Sequence, residues 1–472
     1  MIESTNRFSI RNISSLIVLF SILLSLPVHS QVSQDQCKEL LSISNEDAKI
    51  RNYQAAYEPW RKVLDNCPKL SVATYQIGER ILKDFVSKAN SDEDKLKYTN
   101  DLLDLYDNWA LNFPSRRGVN QIGKIFSSKG QAMLDNGIED KSLIYKTFDY
   151  AFTNDPNSFT NPKSLAYYFI TGYDLFKAGI DIELEDLFEK YEELTEKFQL
   201  LQTNISKNLD LILKKEESGT ALTATEQRNK KRYNTNTNAV GSYLQLLDQT
   251  IAKEATCEIL VPLYSKNFEE NKNNPLWIRR AAGRLDGKEC SNDPLFVTLV
   301  EQLHSLEPSA DSAYYLGILN DKDGNEEEAL KYYQESVALQ TDNYKKANIL
   351  YKIAVKFRNA GRRSSARDYA EQALSYQPSL GRAYLLIANM YADSANGCGD
   401  TQFNKRAVFW LAAQTAQKAG RVDASLKRIS DRTVAAFNGR APTKTDIFTE
   451  GNQGTTISFS CWIRRSVKVP TL

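Results

Sequence analysis

Between Ala310 and Leu426 the chain sets out one arrangement of small and bulky residues three times, and that periodicity restricts the fold more than any other feature. In the first copy Ala313, Leu316, Gly317, Gly324, Ala329, Tyr333 and Ser336 follow a helix-turn-helix rhythm. Gly317 and Ala329 stand where two helices would touch, Gly324 turns the chain, and Tyr333 fills the wedge between neighbours. The second copy, Ala347 to Pro378, repeats the frame through Leu350, Ile353, Ala354, Phe357, Gly361, Ala366, Ala370 and Ala373. The third starts at Gly381, 34 residues after Ala347, with Tyr384, Ile387, Ala388 and Tyr391. Equivalent joints read Glu307-Pro308-Ser309-Ala310, Gln377-Pro378-Ser379-Leu380 and Asp423-Ala424-Ser425-Leu426. A unit this short cannot bury its apolar face alone, so the copies must stack.

This frame resembles the tetratricopeptide repeat (TPR): an aliphatic-small-aromatic first helix, a small residue in the second, and a proline after it. The third copy departs from it. Pro378 to Ala424 spans 46 residues, about 12 too many, and Asp393 to Asp400 reads as the insertion. Weaker copies run from Cys37 to Pro68 (Leu40, Ile43, Ala56, Trp60, Val63) and through Ala132, Ile144, Phe148, Ala151 and Pro156, with a joint at Asp155-Pro156-Asn157-Ser158.

The middle of the chain follows another rule. Leu184, Leu187, Tyr191, Leu194, Phe198, Leu201 and Ile205 step by three and four, Asn208 and Ile212 extend the seam, and Tyr233, Val240, Leu244, Leu247 and Ile251 return it. An antiparallel two-helix coiled coil is expected. The seam turns polar near its tip (Asn208, Lys215, Lys230, Thr237), where Arg228, Lys230, Lys231 and Arg232 cluster, so packing is expected to weaken there. That tip is either a solvated end or a contact surface for a partner or an anionic lipid. Thr456 to Ile463 alternates apolar and polar residues, with Val467 and Val469 beyond, and predicts a β-hairpin packed on the last repeats as a cap. The predicted fold is all-α: a TPR-like helical-hairpin solenoid with a long coiled-coil hairpin insertion and a small C-terminal β element. Its expected divisions are a signal peptide at 1–30, degenerate repeats at 31–180, the long hairpin at 181–256, the main array at 257–440 and the β cap at 441–472.

Arg7 and Arg11 precede an apolar run from Ile13 to Leu26, and Val28-His29-Ser30 offers a cleavage pattern. Export is expected. No later run reaches 18 apolar residues, so no transmembrane segment is predicted in the mature chain. Six cysteines, Cys37, Cys67, Cys257, Cys290, Cys398 and Cys461, then suit disulfides, and composition leaves fifteen pairings open. The repeat frame favours the sequential set, because Cys37 and Cys67 fall at one end of a helical hairpin and Cys257 and Cys290 bracket another. Cys398 lies in a Gly-rich loop, with Cys461 as the only later cysteine. The combination of leader, degenerate repeats, Pro-Ser joint and a tail such as Phe459-Ser460-Cys461-Trp462-Ile463 is similar to exported TPR proteins of the bacterial cell envelope.

With the leader removed, basic and acidic groups are equal in number, which argues against a dedicated nucleic-acid binder. Only His29 and His304 occur, and with the leader removed one histidine cannot build both a Ser-His-Asp triad and a His-rich metal site; neither is expected, and no P-loop, GxGxxG, HExxH or GxSxG is present. His304 reads as structural, and the carboxylates of Glu326-Glu327-Glu328 and Glu192-Glu193 as helix starts and solvated faces. No enzyme activity, cofactor or metal is expected. The resemblance implies binding of another envelope protein, in assembly or support of an outer-membrane or surface complex associated with the membrane. Its groove positions would be Asp311, Tyr314, Ile318 and Lys322; Asn348, Tyr351, Val355 and Arg358; and Arg382, Leu385 and Asn389. Family members that clamp a peptide carboxylate do so with Lys and Asn, which Tyr314, Tyr351, Ile318 and Val355 replace here. The alternative is a glycan-binding accessory of a surface uptake system, which would need exposed tryptophan platforms, whereas Trp60, Trp109, Trp277 and Trp410 fall in patterns suited to a core.

Overall fold

The computed structural model describes residues 32–472, so the expected leader at 1–30 lies outside the described residues. Contacts group the described residues into two compact units that divide between Phe113 and Pro114. The division at Phe113 falls inside the stretch 31–180 that the sequence reading takes as one block. Among the described residues no helix is long and apolar enough to cross a membrane.

The first unit holds two antiparallel helix pairs, α1 (Gln34–Lys49) with α2 (Tyr53–Asn66) and α3 (Val72–Lys88) with α4 (Asp92–Asn112). Serines start three of these helices: Ser33, Ser71 and Ser91 each accept a first-turn amide. Trp60 is fully buried and donates its indole N–H to the Thr74 carbonyl at 2.8 Å, which ties the second helix to the third. Cys37 and Cys67 stand with Cα atoms 6.5 Å apart and sulfurs at bonding distance.

The second unit opens with a feature absent from the sequence reading, a minimal hairpin of β1 (Ser115–Arg116) and β2 (Val119–Asn120). Its two-residue turn puts Arg117 at φ 52° and Gly118 at φ 77°, the left-handed pair that a tight antiparallel turn needs. Then come α5 (Ile122–Asp135), α6 (Lys141–Asn154) and α7 (Pro162–Ala178), followed by the long pair α8 (Leu184–Glu217) and α9 (Ala224–Ile251). After α10 (Cys257–Asn271) the chain settles into α11 (Pro275–Gly287), α12 (Pro294–Leu306), α13 (Ala310–Lys322), α14 (Glu326–Leu339), α15 (Asn343–Asn359), α16 (Arg363–Tyr376), α17 (Gly381–Asp393) and α18 (Gln402–Val422). Proline occupies the first turn of α7, α11 and α12, where its missing N–H costs nothing, behind the capping side chains of Asn161, Asn274 and Asp293.

The repeat frame holds in detail. A Cβ on Gly317 would come within 2.5 Å of the Tyr333 ring, so α13 and α14 approach as closely as they do only because that position is bare. Gly324 and Gly361 take the same left-handed turn, at φ 78° and 75°, in equivalent three-residue connectors. The insertion is placed differently from the sequence expectation. The α17–α18 connector, 394–401, is only five residues longer than its counterparts, and the rest lengthens α18 to 21 residues against 14 in α14 and α16.

The C-terminal part adds α19 (Lys427–Asn438), α20 (Lys444–Glu450) and an antiparallel pair, β3 (Thr456–Phe459) with β4 (Arg465–Lys468). The strands are shorter than the alternation suggested, because Cys461, Trp462 and Ile463 form the turn. That turn is anchored. The buried Arg367 of α16 donates to the carbonyls of Trp462 and Ile463 at 3.0 and 2.6 Å, and Trp462 Nε1 donates to Ser394 Oγ at 3.0 Å. The hairpin therefore lies back on α16 and the end of α17, with α19 packed on α18 beyond it. Cys398 and Cys461 are at bonding distance here, and Cys257 and Cys290 are so across α10 and α11, both with Cα atoms 5.5 Å apart.

Candidate partner-binding face

The long pair does not stand free. Leu187, Tyr191, Leu194, Phe198 and Ile212 of α8 and Val240, Leu247 and Ile251 of α9 are buried along the expected seam, but Asn208 is exposed. A second stripe replaces it: Ser206, Leu209, Asp210 and Leu213 are buried, at helical spacing, on the face that meets the repeats. Leu209 and Leu213 pack on Val422, with Tyr233 and Tyr384 beside them. Asp210 accepts from the Tyr344 hydroxyl and from the Ser379 backbone N–H, each at 2.8 Å. Further back Lys197, also buried, donates to the Pro156 carbonyl, and desolvation pulls its ammonium below the usual lysine range. One helix thus touches the joint after α6, the start of α15 and the joint before α17. At the far end Lys215 pairs with Glu226 and Lys230 with Glu216, so the two lysines of the seam bridge its two arms.

The other exposed face of the array is the row of first helices α11, α13, α15 and α17. Of the eleven groove positions expected there, Tyr314 and Ile318 are 2% exposed, which removes them from any surface a partner can touch. Tyr314 packs against Tyr315 and Tyr333, and its hydroxyl lies 3.5 Å from Asp286. Tyr351 is half-buried beneath the Arg382 guanidinium, 4.4 Å from the ring centre, and that guanidinium also reaches Asn348. Lys322, Arg358, Arg382 and Asn389 are exposed. Lys322 donates to Ser291 Oγ and Asn292 Oδ1 at 2.8 Å, and partial desolvation of its ammonium together with the nearby Lys356 lowers its affinity for the proton.

What the sequence reading missed is the charge of α15. Its residues Lys345, Lys346, Lys352, Lys356 and Arg358 make five basic side chains with no acidic one. Lys356 is neutralised by Asp286 at 2.9 Å; Lys352 instead lies 5.2 Å over the Tyr314 ring, and the Arg358 guanidinium reaches only Asn359. The overall charge balance hid this local excess. His304 accepts or donates at 3.1 Å to Ser312, the third residue of α13, so it helps close the α12–α13 joint. Trp60, Trp109 and Trp410 are buried, while Trp277 and Trp462 are half-buried.

No protein-family model matches the chain. The photosystem I assembly protein Ycf3 of Cuscuta gronovii is 29% identical over 121 residues, which span 24% of this chain and 72% of that one. The protein of the same name from Cuscuta obtusiflora is 30% identical over 112 residues, 22% of this chain and 67% of that one. The chain belongs to the tetratricopeptide repeat superfamily. TPR arrays mediate contacts between proteins, and this one has the helical architecture for it. Among solved structures, a tetratricopeptide repeat protein of Parabacteroides merdae covers 67% of this chain and 97% of its own at 10% identity and TM-score 0.26. MamA covers 41% and 96% at 20% identity and TM-score 0.25. Superpositions that loose say nothing about what this TPR chain binds.

Proposed function

We propose that this TPR protein is an exported, non-enzymatic scaffold of the cell envelope that grips an acidic stretch of another protein along α13, α15 and α17, in assembly or support of a surface complex. The observation that carries it is α15, with five basic residues, no acidic ones, and Lys352 and Arg358 lacking a carboxylate partner among the described residues. Arg382 over the half-buried Tyr351 adds an amphipathic anchor of the kind that dominates protein interfaces. A positive row of this kind accelerates encounter with a negative segment and selects against basic ones. Two features support export: the leader pattern in the first thirty residues and three cysteine pairs at bonding distance. The name of the Ycf3 relatives, an assembly protein, is in keeping with an assembly role.

The test is affinity isolation of the tagged chain from envelope fractions after brief crosslinking, beside an Arg358→Glu/Arg382→Glu variant. A protein partner with an acidic segment should be recovered with the wild type and lost with the variant, and recovery should fall with salt. Recovery of an oligosaccharide in place of any protein, or equal recovery by both chains, overturns the proposal.

A further inference from the structure

The first turns of α8 lie against the junction of α10 and α11, where the Asn267 amide donates to Glu185. A cavity of about 170 Å³ remains between them. Aromatic rings wall it: Phe188 and Tyr264 are buried, Trp277 is half-buried, and the Tyr264 and Trp277 rings meet at 90° with centres 5.6 Å apart. Leu263 and Leu276 complete the apolar lining.

Beside the neutral amides of Asn267, Asn271 and Asn274, the charge of the lining that is left without an opposite partner has one sign. Glu192 is neutralised by Arg284, and Arg280 is engaged at two points by Glu196, 3.0 and 2.9 Å. Glu185 and Glu189 stand exposed at the mouth. Glu185 receives only a neutral donor, the Asn267 amide at 2.7 Å, and no cation pairs with Glu189 among the described residues. Partial desolvation by the cavity wall, and then the carboxylates of Asp186, Glu270 and Glu189, push the Glu185 carboxyl above its usual range, which the Lys266 ammonium opposes. A cation placed at the mouth would relieve that repulsion. Drug-sized ligands occupy roughly 300–1,000 Å³, so this space suits one side chain rather than a whole metabolite.

We propose that the cavity receives a lysine or arginine side chain of a protein partner, its aliphatic stem against Leu263, Leu276 and the aromatic rings, and its charged head between Glu185 and Glu189. Aromatic faces attract cations and carboxylates hold their N–H groups, so both parts of the side chain find a complement. This rests on the reading of the TPR chain as a protein-binding scaffold, but the cavity can be tested without the partner.

The probes are n-butylammonium, n-butylguanidinium and the neutral pentanamide, titrated into the full chain with tryptophan fluorescence as the readout. The two cations should give a saturable change that disappears in Trp277→Phe, and pentanamide should give none. Glu185→Gln/Glu189→Gln should weaken cation binding on the order of tenfold or more, since each lost charge-assisted contact exceeds the free energy of a decade in affinity. Both carboxylates are exposed, so folding should survive, and an unchanged melting temperature verifies it. A response equal for pentanamide, the absence of saturation with either cation, or unaltered affinity in the double variant overturns the inference, whatever the isolation experiment yields. Once a partner is in hand, the same double variant should weaken it. If the cations titrate as expected but the partner is indifferent to the double variant, assignment of the cavity to a partner side chain fails while the scaffold reading stands.

Discussion

Asp210 gives the most exacting test of how the long helix is joined to the repeats. It is 4% exposed and accepts two hydrogen bonds from elements far along the chain, the Tyr344 hydroxyl and the Ser379 N–H. Asp210→Ala strands both donors, and each unsatisfied buried group costs about 1–3 kcal/mol, so the loss should be roughly 2–6 kcal/mol, nearer the low end if water enters. Asp210→Asn keeps an acceptor for Ser379 and offers Tyr344 an amide donor in exchange, so its loss at neutral pH should stay under about 1 kcal/mol. Burial raises the Asp210 carboxyl above its ordinary value of 3.8, more than the hydrogen bonds to Tyr344 and Ser379 lower it. A folded-state value above the unfolded one means the native chain holds the proton longer. This group's contribution to stability is therefore greatest below the ordinary carboxylate range and declines as pH rises through the elevated folded value. Asp210→Asn abolishes that slope, so the wild type should lose ground against the variant as pH climbs from about 4 to 7. Urea unfolding followed by circular dichroism, repeated across that range for all three chains, reads both effects. If alanine and asparagine lower the midpoint equally, or if the gap between wild type and Asp210→Asn does not move with pH, the account of this contact is wrong.

Non-reducing peptide mapping should find Cys37–Cys67, Cys257–Cys290 and Cys398–Cys461 joined, and replacing both members of the last pair by Ser should cost up to about 4 kcal/mol by loop-entropy arithmetic over 63 residues. Gly317→Ala, whose Cβ would meet the Tyr333 ring, should destabilise by about 1–3 kcal/mol in thermal or urea unfolding, whereas Gly287→Ala, with open space around it, should not destabilise. Arg367→Ala should free the 461–464 turn, seen as faster tryptic cleavage after Arg464 and Arg465 with the helical signal intact; unchanged cleavage refutes the anchoring role.

How far the sequence reveals this molecule depends on the range of the interaction that sets each part. The repeats were legible because their determinants are local: Gly317 against Tyr333, and the glycine turns at 324 and 361, recur at a fixed interval that can be counted. The seam of α8 was legible for the same reason, through Ile205 and again at Ile212. Beyond Ile205 the helix also answers to a second surface, and the stripe of Ser206, Leu209, Asp210 and Leu213 makes sense only once α15, α17 and α18 lie against it. Four residues at helical spacing were the signal, masked by a competing stripe one position away. At the candidate face, counting positions in the frame placed Arg358 and Arg382 on the surface but also Tyr314 and Ile318, whose rings and branches turn into the space between neighbouring hairpins. Frame position fixes which helix a residue lies on; whether its side chain reaches solvent depends on the size of its neighbours.

Helical-repeat chains usually lengthen and shorten freely, since duplicating or deleting one unit leaves every remaining neighbour satisfied. The crossing helix takes that freedom away here. Lys197 and Asp210 are thirteen positions apart on a rigid rod, about 20 Å at ~1.5 Å per residue, and the joints they meet belong to different hairpins. Removing or adding a hairpin within α11–α16 would move one mooring by about the thickness of a helix pair and leave a buried charge stranded. The number of units between those moorings is held constant by a measuring stick carried in the same chain, while any units grafted after α19 escape its reach.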